Sequence, residues 1–243
     1  MKIALQLYSV RDCCNTAEEF IHTLKAVKAL GYDGVEFAGY HGLSAQELKN
    51  HLTEIGLDAV ASHQSVDELE NHLDELIAYN NTIGCKNIVC AYSPTKDMAE
   101  MTHLEQVLQS AIARAGAEGI SVLYHNHSHE FEPIDGVLPI DMIQQYCMLE
   151  LDTYWVFSSK NDPAAYLKSH ANKIGLIHLK DGGMDANPCA IGEGKNDIQA
   201  IINASLEIGA KWLIVENDDP VPDGLSDAAR SIRNLKSYKG ISL

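Results

Sequence analysis

The stretch AEEFIHTLKAVKALGYDGVEF, residues 17–37, contains the local pattern that repeats along the chain and decides its fold. Apolar residues recur in it at helical spacing and predict an amphipathic helix: Phe20, Leu24, Val27 and Leu30. Gly31 follows them, as expected for a left-handed helix C-cap. The apolar run Gly34–Phe37 then predicts a short strand. The stretch therefore predicts a helix, a turn and a strand in succession.

The same alternation runs from end to end of the chain. Four further helical patterns end in glycine: SAQELKNHLTEIG (44–56), VDELENHLDELIAYNNTIG (66–84), MAEMTHLEQVLQSAIARAGAEG (98–119) and DIQAIINASLEIG (197–209). The predicted strands are Ile3–Tyr8, Gly34–Phe37, Asp58–His63, Asn87–Tyr92, Ser121–His127, Cys147–Asp152, Ile174–Asp181 and Trp212–Asn217. Strands separated by helices imply parallel pairing with right-handed crossovers.

Eight such strand–helix units in 243 residues predict an α/β protein with a (β/α)8 TIM barrel, a single domain over residues 1–243. A doubly wound open sheet is the alternative architecture. That fold would usually place a glycine-rich phosphate turn after its first strand. This chain has QLYSVRDCC there, without glycine, so the barrel is favoured.

Composition and charge exclude several classes of function. The chain carries 18 basic and 34 acidic residues, giving a formal net charge of -16. A surface this acidic repels phosphate backbones and anionic lipids, so we expect neither a nucleic-acid nor a membrane partner. None of the six cysteines forms a CxxC pair, and the first residues lack the pattern of a secretory signal. These features predict a cytoplasmic protein with free thiols.

Polar residues collect at the C-terminal ends of the predicted strands, which converge on one mouth in a closed barrel. They are Glu36, His63, Gln64, His125, Asn126, His127, Glu150, Asp152, His178, Lys180, Asp181, Glu216, Asn217 and Asp218. If His125 and His127 point inward, they face Asp152, His178 and Glu216 across that mouth. Such nitrogen and oxygen ligands suit Mn²⁺, Co²⁺, Zn²⁺ or Fe²⁺ better than Ca²⁺. The sequence therefore predicts a metal site there.

Each of these residues also has a structural interpretation. A single histidine at a strand end is as readily a hydrogen-bonded structural residue as a metal ligand. Glu36 is expected either to bind substrate or to form a salt bridge at the rim. Lys180 either serves the reaction or pairs with Asp181 or Glu150, and His129 is expected in a loop. Five further histidines lie on predicted helices and are expected at the surface: His22, His51, His72, His103 and His170.

Three patterns carry a family resemblance: GISVLYHNHSHEFE (119–132), LELDTYW (149–155), and IGLIHLKDG (174–182) with IGEGKNDI (191–198) and WLIVEND (212–218). Together they resemble the xylose isomerase-like TIM-barrel superfamily, often labelled sugar phosphate isomerase/epimerase. The likeness covers essentially the whole chain, including the QLYSVRD start and the GYDGVEF second strand. It is specific for the superfamily and weak for the substrate.

The resemblance implies one divalent metal ion, held by a strand-five carboxylate, a strand-six aspartate, a strand-seven histidine and a strand-eight glutamate. By position the last three are Asp152, His178 and Glu216, and the strand-five position falls on His125. This departs from the epimerase pattern, in which two glutamates flank the substrate and shuttle the proton. His127 is close enough in sequence to be the strand-five ligand instead.

Other expectations follow from the loops beside this set. Glu130 or Glu132, on the loop after strand five, could still reach the pocket. Trp155 stands where related epimerases often have a histidine, and its indole would offer a stacking wall for a sugar ring.

The implied activity is metal-dependent isomerisation or epimerisation of a keto sugar or polyol through a metal-stabilised enediolate. Mn²⁺ is the first expectation for the ion, with Co²⁺, Zn²⁺, Mg²⁺ and Fe²⁺ as alternatives. The expected catalytic residues are Glu216 and His127 for proton transfer and Lys180 for neutralising the developing oxyanion. The expected substrate-binding residues are Glu36, His63, Glu132 and Trp155.

Alternative functions share the same site. An enediolate can also expel a leaving group, so inosose dehydratase-like or keto-sugar lyase chemistry is the main alternative. A sugar-binding barrel without catalytic activity is a more remote one. The endonuclease IV family belongs to the same superfamily, but it needs more metal ligands and a basic groove, which the net charge of -16 opposes. A neutral sugar is favoured over a phosphorylated one. The sequence is compatible with either a monomer or a homodimer.

Overall fold

The computed structural model describes residues 1–184 and 187–241. Eight parallel strands form a closed barrel in the ring order β1, β8, β7, β6, β5, β4, β3, β2. Their bounds are β1 (Lys2–Gln6), β2 (Gly34–Phe37), β3 (Asp58–Gln64), β4 (Asn87–Cys90), β5 (Ser121–His125), β6 (Met148–Asp152), β7 (Ile174–Leu179) and β8 (Trp212–Val215). The structure thus confirms the predicted (β/α)8 barrel.

Helices follow the strands around the outside of the barrel. Over the described residues the α-helices are α1 (Ala17–Leu30), α2 (Ala45–Ile55), α3 (Val66–Asn71), α4 (Leu73–Ile83), α5 (Met98–Gly116), α6 (Pro139–Tyr146), α7 (Thr153–Ser158), α8 (Pro163–Ser169), α9 (Ile198–Glu207) and α10 (Gly224–Leu235). Short 3₁₀ helices span Leu7–Cys13, His129–Phe131 and Ala171–Lys173. A small antiparallel pair of strands, Asp181–Gly182 with Pro188–Cys189, follows β7.

The helix ends show how local sequence positions these elements. Gly31, Gly56 and Gly84 adopt left-handed backbone conformations directly after α1, α2 and α4, which confirms those predicted caps. The prediction of one continuous helix over residues 66–84 is wrong, because the helix breaks at His72 into α3 and α4. Asn71 and His72 are both weak helix formers, so helix propensity adds little to oppose the break there.

Several strands end two residues before their predicted ends, namely β1, β4, β5, β7 and β8. After β1 and β5, a side chain accepts a hydrogen bond from the backbone and turns the chain out of the sheet. Gln6 Oε1 accepts a hydrogen bond from the Tyr8 backbone N–H at 2.9 Å. Glu130 Oε2 accepts one from the His127 backbone N–H at 2.8 Å. As a result, His127, Lys180 and Glu216 lie just beyond the ends of their strands.

The core has two parts. A small cluster fills the barrel interior beneath the polar mouth: Ala4, Val60, Ala61, Val89, Leu123, Leu176 and Ile214. A larger continuous cluster packs the outer faces of the strands against the helices. Burying both faces of each strand in this way is what parallel sheets require, and it gives the mouth a rigid floor. In the described part of the chain, each helix is too short or too polar to cross a membrane.

Gly34 marks a close approach between neighbouring strands. A Cβ there would lie 2.8 Å from Asp58 O, 2.8 Å from Val60 Cγ2 and 3.0 Å from Trp212 Cη2. Gly34→Ala should therefore lower the free energy of unfolding by about 1–3 kcal/mol, measured by urea denaturation. Gly116→Ala is the matched control, since nothing lies within 4 Å of its Cβ, and it should be neutral or stabilising by up to about 1 kcal/mol. Equal stability of the two variants would contradict this packing.

Candidate metal centre

The polar strand ends meet in one buried cluster at the mouth of the barrel. Its buried members are Glu36, His125, Glu150, Asp152, His178, Lys180 and Glu216, and the His63 side chain is 11 % exposed. Strand register explains the meeting. Asp152 of β6 is directly opposite His178 of β7, and His125 of β5 is opposite Glu150 of β6. These residue pairs therefore come from neighbouring strands at matched heights in the barrel.

Four of these residues form what we call the first donor group: His125, Asp152, His178 and Glu216. Each offers one ligand atom, and these atoms all lie within 4.8 Å of one another. His178 Nδ1 is 3.1 Å from Glu216 Oε2, and His125 Nε2 is 3.9 Å from Asp152 Oδ2. Two atoms bound to one cation at about 2.1 Å lie roughly 3 to 4 Å apart, so the group has the spacing of a metal centre.

Asp152 is oriented for a ligand role. Its Oδ1 accepts hydrogen bonds from the backbone N–H groups of Tyr154 and Trp155, at 2.8 Å and 3.0 Å, at the start of α7. Among the described residues, its Oδ2 is buried and accepts no hydrogen bond, and Lys180 Nζ lies 3.5 Å away as an ion-pair partner. A buried carboxylate oxygen of this kind is stabilised by a cation that faces it. Together with the donor spacing, the free Oδ2 fits a divalent ion that would share this oxygen with Lys180.

A second donor group overlaps the first and consists of His63, His125, Glu150 and His178. Here His63 Nε2 lies 2.7 Å from Glu150 Oε2, and His178 Nε2 lies 3.1 Å from the same oxygen. His178 thus stands between the two groups. Its Nδ1 faces Glu216 and its Nε2 faces Glu150 and Glu36.

The pKa values of the carboxyl groups reflect their burial first and the neighbouring charges second. Burial raises the pKa of Asp152 to about 6, although Lys180 opposes the change. Burial and neighbouring Glu150 raise the pKa of Glu36 to about 7. Burial would also raise the pKa of Glu216, but Lys180 and His178 hold it well below its usual range. A bound divalent cation would offset the negative charge of these carboxylates.

The imidazoles respond to the same charges. Burial alone would lower the pKa of His178, but Glu150, Glu36 and Glu216 raise it well above its usual value. Burial and the nearby His178 lower the pKa of His125 to about 4, which leaves a neutral ring with a lone pair for a metal. The two histidines of the first donor group therefore differ in environment.

Lys180 is the fully buried cation of the cluster. Its Nζ lies 3.5 Å from Asp152 Oδ2 and 3.3 Å from Glu216 Oε2, and it also pairs with Asp218 Oδ2. Burial would lower the pKa of Lys180, but Glu216, Asp152 and Asp218 raise it. The salt bridge expected between Lys180 and Asp181 or Glu150 is therefore absent among the described contacts. Lys180 pairs instead with Asp152 of β6 and with Glu216 and Asp218 after β8. Asp218 is a member of the cluster that our set of predicted site residues lacks.

A cavity of about 480 Å³ opens onto this cluster. Its wall includes His63, His125, His127 and Glu216, together with Tyr8, Gln64, Ser65, Tyr92, Asp218 and two alanines. This volume accommodates a small sugar. Burial, together with His125 and Lys180, lowers the pKa of His127 to about 2. His127 therefore presents a neutral ring to the cavity.

The other residues that were expected to reach the substrate, Trp155, Glu132, Glu36 and Glu130, are not part of the cavity wall. Trp155 is half-buried, with its ring 4.7 Å from Lys180 Nζ and 5.8 Å from the His127 ring. Glu132 is exposed and lies in a separate groove on the far side of Trp155. Glu36 is fully buried and is bonded to other protein groups. Glu130 is also buried, where it bonds the Tyr124 hydroxyl and the His127 backbone.

A closed parallel barrel with polar side chains at the carboxyl ends of its strands defines the TIM-barrel class. The chain belongs to the xylose isomerase-like TIM-barrel family, whose sequence model matches residues 24–238. This confirms the resemblance carried by the three sequence patterns. A comparison with curated proteins found no matching sequence.

Solved structures share the fold at low sequence identity. A sugar phosphate isomerase/epimerase from Parabacteroides distasonis has a TM-score of 0.85 and 22% identity, covering 99% of this chain and 99% of that chain. The probable 3-DHS dehydratase AsbF from Bacillus anthracis has a TM-score of 0.78 and 15% identity, covering 98% and 99%. D-allulose 3-epimerase from Methylomonas sp., in complex with D-allulose, has a TM-score of 0.76 and 15% identity, covering 98% and 97%.

The charge balance around Lys180 can be tested through stability. Lys180→Met should lower the free energy of unfolding by about 3–5 kcal/mol, because it leaves two buried carboxylates, Asp152 and Glu216, and the partly buried Asp218 without their shared cation. Urea denaturation in the presence of a chelator measures this effect of the protein's own charges. Lys168→Met is the control, since Lys168 pairs with Glu207 at the exposed surface and should cost less than about 1 kcal/mol. A similar small loss for both variants would refute the role of Lys180.

Proposed function

We propose that the protein is a divalent-metal-dependent isomerase or epimerase of a neutral sugar or polyol. The observation that carries the proposal is the first donor group, whose ligand atoms lie within 4.8 Å of one another, beside a cavity of sugar size. The similarity to a sugar phosphate isomerase/epimerase and to an epimerase bound to D-allulose supports the choice of substrate class.

The metal ligands in this proposal are His125, Asp152, His178 and Glu216. His125 is preferred over His127 as the strand-five ligand, because His127 groups instead with His129 and Glu130. Two nitrogens and two carboxylate oxygens suit Mn²⁺ first, with Co²⁺, Zn²⁺, Mg²⁺ or Fe²⁺ as alternatives. When bound, the ion supplies Lewis acidity that makes the C–H beside a sugar carbonyl more acidic.

Glu216 is the proposed base. Its Oε2 accepts a hydrogen bond from Lys180 Nζ and lies 3.1 Å from His178 Nδ1, so its Oε1 is the atom that takes the proton from the sugar carbon. Its low pKa keeps it ionised at neutral pH, as a base must be. The Lys180 ammonium, close to Glu216, offsets negative charge that develops on a substrate oxygen. His127, as a neutral ring, serves better as a hydrogen-bond acceptor for a sugar hydroxyl than as a proton carrier.

The cavity wall argues against a phosphorylated substrate. Its described residues include the carboxylates of Glu216 and Asp218 but neither lysine nor arginine. A phosphate group placed there would meet like charge without a paired cation. Tyr8 and Tyr92, which are 44% and 52% exposed, instead offer aromatic faces that suit the C–H face of a sugar ring.

Elimination is the second candidate reaction, and one observation favours it. Both carboxylates of the cavity wall, Glu216 and Asp218, come from the end of β8, whereas β3 and the β5 end contribute histidines. Symmetric epimerisation needs carboxylates on opposite faces of the substrate. A single carboxylate base is sufficient for proton abstraction followed by loss of a leaving group, and a dehydratase is among the similar structures.

Solvent exchange tests the role of Glu216. The protein should catalyse deuterium entry from D₂O into a keto sugar or inosose, and NMR of the products distinguishes epimer, isomer and elimination product. Glu216→Gln should reduce exchange by at least about 10²-fold, because it removes the base. Glu207→Gln, at a surface ion pair with Lys168, should leave exchange unchanged. Substantial exchange by Glu216→Gln would remove Glu216 from the base role.

Metal dependence is a separate expectation. Dialysis against a chelator should abolish exchange, and stoichiometric Mn²⁺ should restore it and raise the melting temperature, because an ion that binds only the folded state stabilises it. Differential scanning calorimetry with and without Mn²⁺ provides the measurement. Full exchange by chelator-treated protein would overturn the metal-dependent function.

A further inference from the structure

Glu36 makes a short contact with one of the histidines of the first donor group. Its Oε2 lies 2.5 Å from His178 Nε2, and both side chains are fully buried. Gln6 Nε2 donates a hydrogen bond to the same Oε2 at 2.9 Å. His178 Nε2 also lies 3.1 Å from Glu150 Oε2, so two carboxyl groups face this nitrogen. A proton on Nε2 is the arrangement in which both of them accept from the ring.

The Gln6 amide is itself held in one orientation. Its Oε1 accepts the Tyr8 backbone N–H at 2.9 Å, which turns its Nε2 toward Glu36. Gln6 and Glu36 are directly opposite each other in the β1–β2 register. A chain of hydrogen bonds therefore runs from the turn after β1, through Gln6 and Glu36, to His178.

The other nitrogen of the same ring faces the first donor group. His178 Nδ1 lies 3.1 Å from Glu216 Oε2, on the side where the proposed metal ligands converge. An imidazole whose Nε2 carries the proton has its Nδ1 lone pair available for a cation. Carboxylates that hold the distal N–H of a metal-binding histidine in this way fix the ring and make it a better ligand.

We propose that Glu36, held by Gln6, is a positioning residue that keeps a proton on His178 Nε2 and so makes Nδ1 the metal-binding atom. The inference rests on the metal centre of the proposed function. It gives Glu36 a role other than the substrate binding expected from the sequence, in agreement with its burial outside the cavity wall.

A metal ion in the second donor group is the competing explanation for these contacts, and one distance opposes it. Within that group, His63 Nε2 lies 2.7 Å from Glu150 Oε2. This is the length of a hydrogen bond between charged partners. Atoms that share one Zn²⁺ at about 2.0–2.1 Å lie about 3 Å or more apart. A proton therefore joins His63 and Glu150.

The experiment uses the Zn²⁺-loaded full chain labelled with ¹⁵N-histidine, without sugar. NMR of the wild type should show His178 with a proton on Nε2 and Zn²⁺ on Nδ1. Glu36→Gln should raise the Zn²⁺ dissociation constant about 10- to 100-fold, measured by chelator competition, because an amide is a weaker acceptor than a carboxylate. Asp227→Asn is the matched control, a buried carboxylate bonded to Asn217 and Arg230 outside the donor groups, and its affinity should equal that of the wild type.

Three results would overturn the assignment: Zn²⁺ bound through His178 Nε2, Zn²⁺ bound to His63, or wild-type affinity in Glu36→Gln. If Glu36→Gln does not fold, the wild-type spectrum alone decides. A wild-type chain that binds no Zn²⁺ would overturn both this assignment and the proposed function. Because the measurement needs no sugar, a failed deuterium-exchange assay would overturn only the proposed reaction.

Discussion

The convergence of buried carboxylates on His178 is the constraint on which the mouth of the barrel depends. Glu36, Glu150 and Glu216 all approach this one ring within 3.1 Å. Carboxylates in such a setting are stable only when cationic or hydrogen-bonding groups compensate for lost hydration. His178 and Lys180 supply part of that compensation. The remaining negative charge is what suits the site to a divalent cation.

Apolar packing elsewhere in the barrel offsets the free-energy cost of burying these charges. A continuous apolar cluster joins the strands to the surrounding helices, and a second one fills the barrel interior below the polar cluster. Strand register then fixes the heights of the polar residues, as shown by the pairing of Asp152 with His178 and of Gln6 with Glu36. A rigid framework of this kind holds charges together that would repel one another on a flexible loop.

Much of this could be predicted from the sequence, because hydrophobic periodicity and strand-end position are local properties. They predict the eight strands, and they bring His125, Asp152, His178 and Glu216 to one place. The partners of Glu36 could not be predicted, since its contact with His178 joins residues 142 positions apart and depends on register and side-chain rotamer. For the same reason the ion pair between Asp218 and Lys180 was not predicted, although Asp218 was placed at the mouth of the barrel, and the exposed position of Glu132 was not foreseen.

The two ring nitrogens of His178 face different parts of the cluster. The Nε2 side is closed: Gln6, Glu36 and Glu150 surround it, and all are fully buried. The Nδ1 side faces Glu216, which also lines the cavity. A ring fixed from the closed side can present a lone pair to the other side without reorganising when a ligand arrives. In the proposed function, specificity for the substrate depends on the cavity wall. There the aromatic faces of Tyr8 and Tyr92 and the carboxylates of Glu216 and Asp218 would favour a neutral, polyhydroxylated molecule over an anionic one.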